Sequence, residues 1–293
     1  MKKLLSFLTK DIREFWTKNP VYTFELSKYG YQVVKELESN SGCRLYLAQS
    51  LKKPNNLVVI KQFQFARGRA WSDFETIETE IQVLKGLEHP GIPRYVDSLE
   101  TDDGYCLVLE YKQAQPLSEA RSFTPDEIEQ ITVSGLEILI YLQERSSPII
   151  HGNIELQNVL VDDDLNVYLT DFGSAVTIRK NELTSNNSSL NPFDFNTQDL
   201  IKADLHGFGK VLTALQTNIK FAEHKHFRRC LEKLVAVNSN DRYCSAQEAL
   251  RSFSNTSPIC TIETILSMFM FISSQASLQI VLLLVLILMI FFS

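Results

Sequence analysis

The chain has 293 residues, 44% of them hydrophobic, and a formal net charge of −6. That is enough to bury a sizeable core in one large domain or two lobes. An acidic chain without a long basic run gives no case for nucleic-acid binding. The five cysteines, Cys43, Cys106, Cys230, Cys244 and Cys260, are odd in number and lack any C-x-x-C spacing. They read as reduced thiols rather than a disulfide framework or a zinc site.

Residues 1–30 form an N-terminal segment. It opens Met1-Lys2-Lys3 like a signal peptide, but the apolar run Leu4 to Leu8 is too short for a cleavable one. Three strand-like runs follow, Tyr31 to Leu37, Leu45 to Gln49 and Leu57 to Phe65. The third alternates, with Val59, Lys61, Phe63 and Phe65 on one face and Val58, Ile60 and Gln62 on the other. A helix is expected next, opened by the capping box Ser72-x-x-Glu75 and carrying Phe74, Ile77, Ile81 and Leu84 at helical spacing. Strands around Ile92 to Leu99 and Tyr105 to Tyr111 flank the turn Asp102-Asp103-Gly104.

After Pro116 the pattern turns helical. Thr124-Pro125-Asp126-Glu127 supplies a cap, a first-turn proline and early acids before the run Ile128 to Gln143. Short strands are expected at Val159 to Val161 and Val167 to Leu169, and more helices to about Phe253. Residues 255–272 read as a linker. Ser273 to Phe292 is uncharged and almost wholly apolar, the length of a membrane-spanning helix. Lys and Arg all precede it, so the expected topology is a single-pass C-terminal anchor with the rest of the chain cytoplasmic.

The chemistry-bearing residues lie in one ordered set. Val58-Val59-Ile60-Lys61 sits in the third strand and Glu80 on the apolar face of the first helix, with Glu78 a poorer alternative. Leu107-Val108-Leu109-Glu110-Tyr111 ends the fifth strand. Then come His151-Gly152-Asn153-Ile154-Glu155-Leu156-Gln157-Asn158, Asp171-Phe172-Gly173, Asp204 and Arg242. In this order and spacing the set resembles the protein-kinase family, and His89-Pro90-Gly91-Ile92-Pro93-Arg94-Tyr95 is typical of its bacterial serine/threonine members.

The resemblance implies an α+β, two-lobed kinase-like fold over 31–254, with a β-rich lobe at 31–111 and a helical lobe at 114–254. It implies an ATP site made by Lys61, its ion-pair partner Glu80, and a hinge at Glu110 and Tyr111. Leu109 falls at the gatekeeper position. Asn158 and Asp171 are the implied Mg²⁺ ligands, Asp204 the anchor of the loop backbone, and Asn153 stands at the catalytic aspartate position.

The chain departs from the family at four places. Asn153 cannot act as a carboxylate base, a role worth roughly 10²–10⁴ in rate. Glu155 replaces a supporting lysine with an anion, which opposes stabilisation of the transferred phosphate. Glu38, Asn40 and Cys43 occupy the three glycine positions of the phosphate loop, with Gly42 alone nearby. The segment before Asp204 lacks a clear A-P-E around Asn191-Pro192-Phe193, and Gly152 replaces the loop arginine.

These features imply a membrane-anchored, kinase-like signalling protein that binds ATP and Mg²⁺ but transfers phosphate poorly, acting through a protein partner. The alternatives are an active, atypical serine/threonine kinase and an ATP-independent interaction module. His224-x-His226 reads as a solvated helical face and Gly207-Phe208-Gly209-Lys210 as close packing within a helix. Cys43 is placed near any bound nucleotide, where its thiol could be modified.

Overall fold

The computed structural model describes residues 26–39, 43–53, 56–63, 71–101, 104–178, 197–215 and 224–254, without the side chains of 39 and 71–76. The side chains of Ser72 and Phe74, and the residues Asn40, Gly42, Asn191 to Phe193, Cys260 and the expected span at 273–292, lie outside what is described. Among those described, no helix is long and apolar enough to cross a membrane.

The first half is an antiparallel sheet of five strands: β1 (Tyr31–Ser39), β2 (Cys43–Ser50), β3 (Leu57–Phe63), β4 (Tyr95–Thr101) and β5 (Gly104–Glu110). Helix α1 (Trp71–Lys85) is inserted between β3 and β4. The spatial order is β1-β2-β3-β5-β4, with Lys61 at the centre, paired across to Leu45 on β2 and Leu107 on β5. Period-two alternation sends the two faces of each strand to different cores. Val58, Ile60, Cys106 and Val108 join Leu26, Tyr31 and Tyr46, whereas Leu107 and Leu109 join Ile77, Ile81 and Leu84 of α1 and the main core.

The fourth strand starts at Tyr95 rather than near Ile92. Residues 89–92 form a turn in which the Ile92 N–H donates to the His89 carbonyl at 3.0 Å. The third strand ends at Phe63, and Phe65 is outside the described residues.

The second half is led by α2 (Pro125–Gln143), whose start carries a capping box. The Glu127 N–H donates to Thr124 Oγ1 at 3.3 Å, and the Thr124 N–H donates to the Glu127 carboxylate at 2.7 Å. Hydrogen bonding from the adjacent Arg121 guanidinium, with the Thr124 N–H, holds the Glu127 carboxyl down at about 2. Short strands follow the helix or precede it. β6 (Gln115–Pro116), β8 (Val159–Val161) and β9 (Val167–Leu169) make a three-stranded sheet, and β7 (Ile149–Ile150) pairs with β10 (Val176–Thr177). Helices α3 (Thr197–Leu215), α4 (Lys225–Leu234) and α5 (Ala246–Ser254) complete the described chain.

Close packing within this half rests on glycines. Gly207 and Gly209 lie inside α3, where a Cβ at 209 would sit 2.8 Å from Leu234 Cβ, so the Gly207-Phe208-Gly209-Lys210 run is a packing feature. The two halves are stitched by the Leu169 N–H, which donates to the Gly91 carbonyl at 2.9 Å. That bond sets the start of the Asp171 turn against the sheet that carries Lys61.

Candidate active site

Lys61 emerges from the middle of β3, on the face opposite the buried Val58 and Ile60, and its ammonium meets two carboxylates. It lies 2.9 Å from Glu80 Oε2 and 2.5 Å from Asp171 Oδ1. Glu80 is turned inward on α1 and is 1% exposed, while Glu78 is exposed on the outer side, so helical phase selects the partner. The Phe172 N–H also donates to Glu80, tying α1 to the turn after Asp171.

The electrostatics of the three groups are unequal. Burial opposes the charge on Lys61, but the Glu80 and Asp171 carboxylates hold its ammonium well above the ordinary lysine value. Burial dominates at Glu80 and pushes its carboxyl up, with Lys61 offsetting only part. Asp171 goes the other way: burial works against the anion, yet Lys61, His151 and Asn153 together bring its carboxyl down. Lys61 therefore remains cationic and Asp171 anionic at neutral pH.

The loop between β7 and β8 is fixed by a buried acid on α3. Asp204 accepts the N–H groups of His151 at 2.6 Å and Gly152 at 2.9 Å. Burial raises its carboxyl to about 6 against those two donors. The His151 imidazole is neutral, held down at about 4 chiefly by burial. Its Nδ1 lies 3.2 Å from the Asn153 N–H, which it accepts, so Nε2 carries the proton and donates to the Thr170 carbonyl at 3.0 Å. The ring stands edge-on to Phe172, with centroids 4.7 Å apart.

Asn158 closes the loop. Its Nδ2 donates to the Asn153 carbonyl at 2.9 Å, which leaves Oδ1 as the accepting end of the amide, while its own carbonyl accepts the Thr170 N–H at 2.9 Å. Asp171 is in the left-handed region, φ 67°, and its side chain is 37% exposed, unlike Glu80. The structure thus brings Lys61, Glu80, Asn153, Asn158 and Asp171 together. Asn158 and Asp171 offer hard oxygen donors beside a cation, a set that fits Mg²⁺ and a polyphosphate.

The structure adds detail at several of these positions. The Glu110 side chain is held between two cations. Arg94 Nε at 3.2 Å and Lys112 Nζ at 3.1 Å engage it, and they outweigh burial to bring its carboxyl down. The Glu110 N–H is also committed, to the Arg94 carbonyl at 2.9 Å. The half-buried Tyr111 begins the connection to the helical half. Cys43 does sit within the electrostatic reach of Lys61, Glu80 and Asp171, but burial raises its thiol to about 11, which disfavours the reactive thiolate. Arg242 donates to the carbonyls of Ala236 at 2.7 Å and Val237 at 3.2 Å, in its own loop. His224 faces Glu129 and His226 faces the Ser252 carbonyl, and the described residues hold no cluster of three metal-ligating side chains.

Sequence reasoning missed the geometry of Gly152. It has φ +79°, and a Cβ there would lie 2.6 Å from the Ser174 carbonyl oxygen. A glycine is required, not merely an arginine lost. Restoring the family arginine by Gly152→Arg is expected to destabilise the fold by about 2–4 kcal/mol, from left-handed strain and the backbone clash. Urea denaturation of the variant measures this; unchanged stability contradicts the close approach.

Comparison with known proteins agrees with this geometry. The family model described as the protein kinase domain matches residues 31–191, just over half of the chain. Serine/threonine-protein kinase 36 of Pongo abelii is 28% identical over 156 residues, covering 52% of this chain and 12% of that protein. Cell division control protein 7 of Schizosaccharomyces pombe is 33% identical over 130 residues, covering 43% and 12%. Serine/threonine-protein kinase PrkC of Bacillus subtilis is 25% identical over 199 residues, covering 64% and 30%. The similar proteins are therefore eukaryotic as well as bacterial, and the chain spans under a third of the length of each of these three. With the ordered motifs, the two-part fold and the Lys61–Glu80–Asp171 geometry all in agreement, the chain belongs to the protein kinase domain family.

Proposed function

We propose that the chain is a membrane-anchored, kinase-like signalling protein that binds ATP with Mg²⁺ and transfers phosphate poorly. The observation that carries this reading is the contrast within one site. Lys61, Glu80 and Asp171 are assembled within ion-pair distance, and an amide occupies the position of the base. Lys61 is the cation for the phosphates, and Asp171 with Asn158 Oδ1 would hold the metal, which supplies charge neutralisation between phosphate oxygens. Asn153 has no proton-accepting carboxylate for a substrate hydroxyl, and the exposed Glu155 adds a negative charge nearby. The apolar segment 273–292 supports a single-pass anchor with the kinase-like part on the cytoplasmic side. The fold then serves to hold or regulate a protein partner at the membrane.

The test is transfer of radiolabelled γ-phosphate by the full chain to itself and to casein. The expected signal is no greater than that of Asp171→Ala; clear labelling that Asp171→Ala abolishes overturns the reading.

A second reading, a slow but active serine/threonine kinase, is favoured by the formed Lys61–Glu80 pair and the left-handed Asp171, since phosphoryl transfer depends heavily on positioning and charge. It requires that Asn153→Asp raise the transfer rate by about tenfold or more.

A further inference from the structure

We propose that Glu38 is a charge filter at the nucleotide site: a bulge in β1 turns it onto the face of the sheet that carries Lys61, where it disfavours each added phosphate charge and admits ATP chiefly as the Mg²⁺ complex. The inference rests on the nucleotide-binding reading above and concerns which form of the ligand that site selects.

Strand register carries the placement. Residues two apart on a regular strand share a face, so Glu36 and Glu38 would do so. The pairing of β1 with β2 slips between them, and that irregularity puts them on opposite faces. Glu36 lies across from Tyr46, and Tyr46 across from Ile60, whose side chain belongs to the smaller core. Glu38 lies across from Leu45, and Leu45 across from Lys61. Directly opposed residues of antiparallel strands point to the same side of a sheet, so Glu38 and Lys61 share one. With strands about 4.8 Å apart, their main chains are about 10 Å from one another. Cys43 lies across from Phe63 on this face, and Glu38, Lys61, Glu80 and Asp171 are all among its electrostatic neighbours. Lys35 is on the same face, across from Leu47, one step further from the end of the hairpin.

Lys61 has no spare charge to offset this carboxylate. It is already matched by Glu80 at 2.9 Å and by Asp171 at 2.5 Å. Glu38 is exposed, so it acts on a ligand at a distance, through solvated and salt-screened surroundings. Adenosine carries no phosphate charge, ADP about three and ATP about four, and bound Mg²⁺ cancels about two of them. A unit charge about 10 Å away in water, at about 10 mM ionic strength, changes affinity by roughly 1.6-fold for each charge on the ligand. The penalty therefore grows from adenosine to ATP and shrinks when the metal is bound. A side chain that merely obstructed the hairpin would act on all of these ligands alike.

The experiment is competitive displacement of a fluorescent adenosine analogue, without phosphate, from the full chain in uncharged detergent at about 10 mM ionic strength. Adenosine, ADP and ATP are titrated with EDTA, and ATP again with saturating Mg²⁺. In Glu38→Gln, adenosine affinity is expected to stay within about twofold, while ADP tightens about fourfold, metal-free ATP about sevenfold and the Mg²⁺ complex about threefold. Raising the ionic strength to about 0.5 M should shrink the gain for ATP below about twofold. Glu36→Gln, altered on the opposite face, should leave the ligands unchanged relative to one another. Melting midpoints without nucleotide verify folding. Should Glu38→Gln not fold, the unaltered chain carries the test: its affinity for metal-free ATP rises with salt relative to adenosine, and a fall overturns the proposal. Equal gains for adenosine and ATP, no gain for ATP, or the same graded gains in Glu36→Gln also overturn it. If the unaltered chain binds neither the analogue nor ATP in any condition, the nucleotide-binding reading fails and this inference with it.

Discussion

Lys61→Met is expected to abolish nucleotide binding and also to destabilise the unliganded protein by about 3–5 kcal/mol. Methionine keeps the length of the side chain but removes the cation that pairs, among the described residues, with Glu80, whose carboxylate is 1% exposed. A buried charge stripped of its partner is the costly case, whereas exchanging both partners for apolar groups is often neutral. Glu80 can relieve part of the penalty by taking up a proton, as burial already raises its carboxyl. The partly exposed Asp171 adds little to the figure, since solvent screens it. At about 2–4 °C per kcal/mol for a domain of this size, the melting midpoint should fall by roughly 10 °C. Lys61→Met combined with Glu80→Leu should recover most of that fall and none of the nucleotide binding. A single variant that melts like the parent contradicts the buried ion pair.

Asp204→Ala is expected to cost about 3–5 kcal/mol in urea denaturation. The carboxylate accepts two backbone N–H groups at 2.6 and 2.9 Å in a site where it is 5% exposed. Truncation leaves both donors without an acceptor, at roughly 1–3 kcal/mol each. Asp204→Asn retains one acceptor oxygen and should lose about half as much. Both variants release the backbone of residues 151 and 152, so both should weaken nucleotide binding beyond what the stability loss alone predicts. Wild-type stability in Asp204→Ala would mean that the loop is anchored by something other than this acid.

The sequence reveals much of this fold because its strongest signals are local and periodic. Val159–Val161 and Val167–Leu169 are strands at the positions their short apolar runs indicate. Thr124 to Glu127 forms the cap that its spelling predicts. Glu80 is preferred to Glu78 by helical phase, and the structure buries the first and exposes the second. The start of β4 is less legible, since Ile92 looks like a strand residue but sits in a turn closed by His89, two residues before Arg94.

The parts of the site that escape sequence reading are those set by tertiary approach. Gly152 reads as an arginine lost, because a sequence does not display φ or the nearness of Ser174. Asn153 reads as a base lost, because a sequence does not display how the His151 ring and the Asn158 amide hold its main chain. The ion pairs of Glu110 are hidden in the same way, since Arg94 precedes a neighbouring strand and Lys112 lies just beyond its own. In each case the residue was identifiable and its partner was not.

The measurement that bears most directly on the account is the melting midpoint of the full chain, in detergent, across an ATP series with Mg²⁺. The account predicts saturable stabilisation, about 2–3 kcal/mol at a hundredfold excess over the dissociation constant, or roughly 5–10 °C. It also predicts loss of that shift in both Lys61→Ala and Asp171→Ala. A flat series from well-folded protein, or a shift that survives both substitutions, contradicts it.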